Sequence, residues 1–179
     1  MLQPMPRNIE IKARVRDMAA LRQRARALAD ADAVLITQDD TFFAVPHGRL
    51  KLRRFADGSA ELIHYQRPDR HDAKASDYVR VPVADAAALR QALLRANGLL
   101  GRVRKTRWLL MRGRTRIHLD HVEALGDFME LEVVLRDGEP DADGIAEAQS
   151  LMHELGLADA EQLAGAYLDM LRAGDAAVA

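Results

Sequence analysis

Charged side chains recur two residues apart in segment after segment of this chain, most often with an apolar residue between them. Glu10 and Lys12 flank Ile11, Lys51 and Arg53 flank Leu52, Arg116, His118 and Asp120 alternate with Ile117 and Leu119, and Glu130 and Glu132 flank Leu131; Lys105 and Arg107 form one more such pair. Side chains two apart on a strand point to the same side of a sheet. Each segment therefore predicts a strand with one charged and one apolar face, and the apolar faces need helices to cover them.

The rest of the chain supplies those helices. Asn8 to Arg16 reads as the first strand, and Asp17 caps a helix whose Met18, Leu21, Ala25 and Leu28 recur at helical spacing as far as Ala31. Ala33 to Val45 turns through Pro46-His47-Gly48 into Arg49 to Phe55, and Asp57-Gly58 turns that strand into Ser59 to Arg67. Pro68 to Ser76 reads as a loop and Tyr78 to Val83 as a short strand. Asp85 caps a second helix, with Ala86, Leu89, Leu93 and Leu94 on its buried side and Gly98 at its end. Gly101 to Met111, Thr115 to Val122 and Phe128 to Leu135 follow as strands. Ile145, Ala148, Met152 and Leu155 mark a third helix ended by Gly156; Leu163, Ala166, Tyr167 and Met170 mark a fourth that stops near Gly174. The fold class is α+β. About eight antiparallel strands hide their edges best in a closed or nearly closed barrel, with helices outside and room inside for one small ligand. The order of elements suggests loosely duplicated halves without a strict repeat.

Composition narrows the ligand. The 179 residues, 49% apolar, suffice for a single domain over 1–179, with residues 1–6 and 175–179 expected as flexible flanks. Lys and Arg number 26 against 27 Asp and Glu, so no global field draws the protein to nucleic acid or an anionic membrane, and any anion site must be local. No cysteine is present, which removes disulfides and thiolate chemistry. Met1 to Arg7 lacks a signal-peptide core and no later stretch is long enough to span a bilayer, so a cytoplasmic location is expected.

A charged sheet face can simply meet water, but such a face usually mixes signs. Here the acids gather on the first and last strands and at Asp120, and the middle strands are read as offering cations only. Carboxylates such as Glu10, Asp120, Glu130 and Glu132 are hard ligands suited to Mg²⁺ or Mn²⁺. Lys12, Lys51, Arg53, Lys105, Arg107 and Arg116 are suited to phosphate oxygens. A polyphosphate carrying a metal ion satisfies both sets at once. Competing signals are weaker: alternation sends His121 away from His118 and Asp120, which argues against zinc, and His153-Glu154 lacks the second His of a metalloprotease helix. There is no glycine-rich phosphate loop, dinucleotide fingerprint or nucleophile elbow. Trp108, Phe42, Phe43 and Phe128 read as core aromatics, and Arg22, Arg24 and Arg26 as a solvated helix face.

Asn8-Ile-Glu10-Ile-Lys12 resembles the Glu-x-Glu-x-Lys signature of the CYTH superfamily, which contains class IV adenylate cyclases, thiamine triphosphatases and inorganic triphosphatases. The resemblance continues, in the order of the class IV adenylate cyclase-like branch, through Gly48 to Arg53, Glu61 to Arg67, Ser76 to Tyr78, Val103 to Arg107, Arg116 to Glu132 and Ala166 to Leu171. It implies a triphosphate tunnel: an antiparallel barrel in which Lys51, Arg53, Lys105, Arg107 and Arg116 grip the substrate while Glu10, Asp120, Glu130 and Glu132 hold Mg²⁺ or Mn²⁺. Lys12, with Glu10, is expected beside the reacting centre. Two departures follow: Asn8 stands where the signature has its first Glu, and Arg67 takes the place of a fourth-strand Lys. ATP, thiamine triphosphate or tripolyphosphate is the expected small-molecule partner, with no membrane or nucleic acid. A binding module without turnover is the alternative to an enzyme.

Overall fold

The computed structural model describes residues 7–66, 74–75 and 77–178. The chain runs β1 (Asn8–Arg14), α1 (Met18–Leu28), β2 (Val34–Phe43), β3 (Arg49–Phe55), β4 (Ala60–Gln66), β5 (Lys74–Ala75), β6 (Asp77–Pro82), α2 (Ala86–Asn97), β7 (Leu99–Arg112), β8 (Thr115–Val122), β9 (Gly126–Val134), α3 (Asp141–Glu154) and α4 (Tyr167–Val178). Helices α1 and α2 begin where short acidic side chains satisfy the first free amides: Asp17 accepts from the Ala20 N–H at 3.0 Å and Asp85 from that of Ala88 at 2.9 Å. Helix α1 ends at Leu28, short of Ala31, because Ala29 adopts extended dihedrals.

The strands form one sheet in the order β5-β1-β9-β8-β7-β2-β3-β4-β6, its described pairings all antiparallel. Eight of these are full strands, as expected, and β5 is a two-residue addition. Residues 74–75 pair with β1 at one end of that order while 77–82 pair with β4 at the other. Neighbouring pieces of chain thus hold both margins of the curled sheet.

Alternation then sorts the side chains. Outward Ile9, Ile11, Ile117, Leu119, Leu131 and Val133 are buried under α1 and α3 with Leu21, Ala25, Ala148, Leu151 and Met152. Phe43, Leu52 and Ala60 lie under α2. The last helix behaves differently from the other three: Tyr167 and Leu168 at its start join the inward-facing Phe42, Val103, Val122 and Phe128, stoppering one end of the barrel. Leu163, expected within this helix, precedes it in extended chain, where its N–H donates to the Lys12 carbonyl at 2.8 Å and Gln162 bridges to Ala13. Gly101 makes this docking possible, since a Cβ there would collide with Cδ1 of Leu168. The helix continues through Gly174 to Val178. Among the described residues no helix is long and apolar enough to cross a membrane.

Candidate functional site

The inward positions line a cavity of about 370 Å³. Its cationic wall is built twice from the same parts. On β3, Lys51 and Arg53 converge on Asp40 of β2: Arg53 donates from Nε and Nη2 to the two carboxylate oxygens at 2.7 Å each, and Lys51 Nζ donates at 2.8 Å. On β7, Lys105 and Arg107 converge on Asp120 of β8: Arg107 donates from Nε and Nη2 at 2.6 Å each, and Lys105 at 2.9 Å. In both cases the acid sits directly opposite the arginine in the strand register. A bidentate guanidinium on a buried carboxylate fixes the direction of both cations and holds them facing the cavity.

Asp40 corrects the expectation that the middle strands carry cations only. It lies 3% exposed in the centre of the cationic wall. Burial alone would raise its pKa, but the charges of Lys51 and Arg53 outweigh this and hold the carboxyl well below the usual range. The same balance applies at Asp120, where burial opposes and the Lys105 and Arg107 charges prevail. Burial, reinforced by Arg53, pulls Lys51 down to about 8 despite Asp40, and burial with Arg107 lowers Lys105 as well.

The opposite wall carries the acids. Register places Glu10 opposite Glu132 and Lys12 opposite Glu130 across β1 and β9. Across β9 and β8, Glu132 faces Arg116 and Glu130 faces His118. Lys12 is 4% exposed, with Nζ 3.0 Å from Glu130 Oε1 and also donating to the Gly165 carbonyl at 3.0 Å. Arg107 Nη2 reaches Glu130 Oε2 at 2.7 Å, and Arg116 donates to Glu132 at 3.0 Å. Burial would raise Glu130, yet Lys12 and Lys105 hold it well below the ordinary carboxylate range. Glu132 is lowered too, burial being outweighed by His118 and Arg107.

His118, Glu130 and Glu132 offer ligand atoms that all lie within 4.8 Å of one another. Buried Nδ1 of His118 has no hydrogen-bond partner and sits 3.8 Å from Glu130 Oε2 and 3.7 Å from Glu132 Oε1. Those separations are too long for hydrogen bonds and fit donor atoms that share a cation between them. Asp120, expected among the metal ligands, is placed elsewhere: it is fully buried, does not line the cavity, and its oxygens are taken by Lys105, Arg107 and the Tyr167 hydroxyl at 3.0 Å. Ligation by Asp120 would require it to release those donors. Glu10 lines the cavity beside Glu132, and Asn8 lines it with Oδ1 unpartnered. Arg67 lies outside the described residues.

Besides His118, three contributors were not singled out from the sequence as site residues. Asp40 is legible in retrospect from its phase, two residues from inward Phe42 and Gln38. Tyr167 read as an ordinary apolar helix position; its ring has Lys12 Nζ at 4.1 Å and Lys105 Nζ at 4.9 Å from its centroid, a cation–π pairing of both amines. Burial, with Glu130 and Asp120 nearby, pushes its hydroxyl well above the ordinary value, so it stays a donor. Arg80 of β6 adds a further cation to the lining.

The curled antiparallel sheet, with charged side chains lining its inner face and helices over its outer one, is the architecture of a known domain family. The CYTH domain profile matches residues 6–167, and the chain belongs to that family. Similar solved structures share the fold. A Pyrococcus horikoshii OT3 protein is 22% identical with a TM-score of 0.81, over 90% of this chain and 98% of its own. A Vibrio parahaemolyticus protein described as a candidate adenylate cyclase is 18% identical, TM-score 0.78, over 95% and 99%. A Hippeastrum protein described as a candidate adenylyl cyclase with a dominant triphosphatase activity is 17% identical, TM-score 0.69, over 93% and 96%. No curated protein sequence matches the chain significantly.

Proposed function

We propose that this chain is a metal-dependent enzyme acting on a triphosphate, either closing ATP to cyclic AMP and pyrophosphate or hydrolysing a triphosphate. The observation that carries the reading is the pair of Lys-x-Arg clamps facing a His118, Glu130 and Glu132 cluster across one cavity. A triphosphate's negative charge matches the clamps. Glu130, Glu132 and His118, with Glu10 beside them, would hold Mg²⁺ or Mn²⁺, which when bound neutralises phosphate oxygens and aligns the reacting groups.

The chain's own side chains account for the remainder. Lys51, Arg53, Lys105, Arg107 and Arg116 grip phosphate oxygens, with Arg67 as a further expected contact. Lys12, steered by Glu130 and the Tyr167 ring, stabilises charge beside the reacting phosphorus. In cyclisation the ribose 3′-hydroxyl attacks the α-phosphorus and pyrophosphate leaves. In hydrolysis water attacks the terminal phosphorus, the bond to the bridging oxygen breaks, and the diphosphate leaves as orthophosphate forms from the attacked group. Both displacements are in line and require this distribution of charge.

Incubation with ATP, thiamine triphosphate and tripolyphosphate, each with Mg²⁺ and with Mn²⁺, tests the proposal. Cyclic AMP with pyrophosphate identifies a cyclase, and orthophosphate a hydrolase. Tight binding without turnover would favour a binding module, the reading that Asn8 in place of an acid supports. The absence of both binding and turnover would refute the proposal.

A further inference from the structure

We infer that the organic part of the triphosphate rests on an apolar rim made by Ile36, Phe55 and Leu109, where the Gln38 amide reads an amino-bearing planar heterocycle. This rests on the triphosphate reading above and adds a recognition site to it. The three rim residues stand on the neighbouring strands β2, β3 and β7, and all line the cavity. They are half-buried and belong to none of the three apolar cores. Leu110, the outward neighbour of Leu109, is by contrast 1% exposed in the core beneath the helices. Apolar surface left facing a polar cavity gains most from a flat organic group laid against it.

Gln38 supplies direction. It lies opposite Phe55 on one side and Lys105 on the other, one inward position from Ile36. The residue is 4% exposed, and its Oε1 has no hydrogen-bond partner. A buried amide carbonyl needs a donor, and an exocyclic amine on a heteroaromatic ring is one that the apolar rim can also accommodate. The amide's NH₂ can in turn donate to the adjacent ring nitrogen, the two-bond pairing by which Gln recognises adenine. Leu109 sits opposite His118, and Ile36 opposite Arg107. A group on the rim is therefore next to both the candidate metal ligands and the phosphate clamp, as the organic end of a short triphosphate must be. Adenine and the aminopyrimidine of thiamine share this chemistry.

Titration calorimetry with tripolyphosphate, ATP, thiamine triphosphate and purine riboside triphosphate, which is ATP without its amine, distinguishes them. ATP or thiamine triphosphate should bind about tenfold or more tightly than tripolyphosphate, and whichever does so names the source. An ATP preference should also disappear for the deaminated analogue. Gln38→Met and, separately, Phe55→Ala should abolish the preference while leaving tripolyphosphate affinity within about twofold. Tripolyphosphate bound as tightly as every organic triphosphate would overturn this inference and leave the parent reading intact. An equal loss of tripolyphosphate affinity in both variants would also overturn it. Failure of tripolyphosphate itself to bind would remove both.

Discussion

At the scale of single residues, the site is a set of charges held in place by other charges. Lys51 is the most exposed to pH. Burial and Arg53 bring it to about 8 from the ordinary 10.5. Between those two values the unfolded chain keeps a proton that the fold has released, so this group makes the fold gain stability as pH rises through the window. Ligand affinity moves the other way, because neutral Lys51 no longer attracts phosphate. Tripolyphosphate affinity should fall by up to about tenfold per pH unit above 8, and Lys51→Arg should flatten that dependence; parallel profiles would contradict the role given to Lys51. Glu132→Gln removes a candidate metal ligand that is less enclosed than Glu130, and it should cut metal-dependent turnover about 100-fold or more while circular dichroism stays unchanged. Turnover within about twofold of the unaltered protein would remove Glu132 from the metal site.

At the scale of elements, the same unit appears twice: a strand carrying Lys-x-Arg beside a strand carrying an acid opposite the Arg, once in β2 and β3 and once in β7 and β8. The cations of both units were legible because i, i+2 spacing in a strand leaves little choice of direction. Asp120 was legible as an inward acid for the same reason, but its partners were not, since spacing does not say which neighbouring strand supplies the counter-charge. Asp40 was hidden because Asp39-Asp40 gives no sign of which of the two points inward until the phase of Phe42 is used. Helix α4 was the hardest to place. Its apolar positions predict a helix on the outside, yet Leu163 belongs to extended chain along β1, and Tyr167 turns its hydroxyl inward to Asp120. Tyr167→Phe should therefore cost about 1.5–3 kcal/mol in urea unfolding, the worth of a buried hydrogen bond to a charged group. Arg49 grips Asp169 on the same helix through two bonds of 2.8 and 2.7 Å, but at a part-exposed position, so Asp169→Asn should cost less, about 1 kcal/mol or below.

At the scale of the whole molecule, helices cover the apolar outward face of the sheet and a network of paired charges lines its cavity, so a ligand that enters under the proposed function must exchange its own charges with that network. The curled sheet, its charged inner face and the helices over its apolar face followed from alternation, but the acid Asp40 within the cationic wall and the inward turn of α4 did not. The role of His118 did not, because a lone His between Ile117 and Leu119 is ambiguous until β8 and β9 are in register. Stability should consequently be linked to ligand. Tripolyphosphate with Mn²⁺ at about one hundred times its dissociation constant should add about 2.7 kcal/mol, or about 5–10 °C in melting temperature. The decisive measurement is titration calorimetry of tripolyphosphate with Mn²⁺ and with EDTA, on the unaltered protein and on Glu132→Gln. The proposed site predicts binding that Mn²⁺ tightens by about tenfold or more and a tightening that Glu132→Gln abolishes. Affinity indifferent to Mn²⁺ in both proteins, or no binding at all, would contradict it.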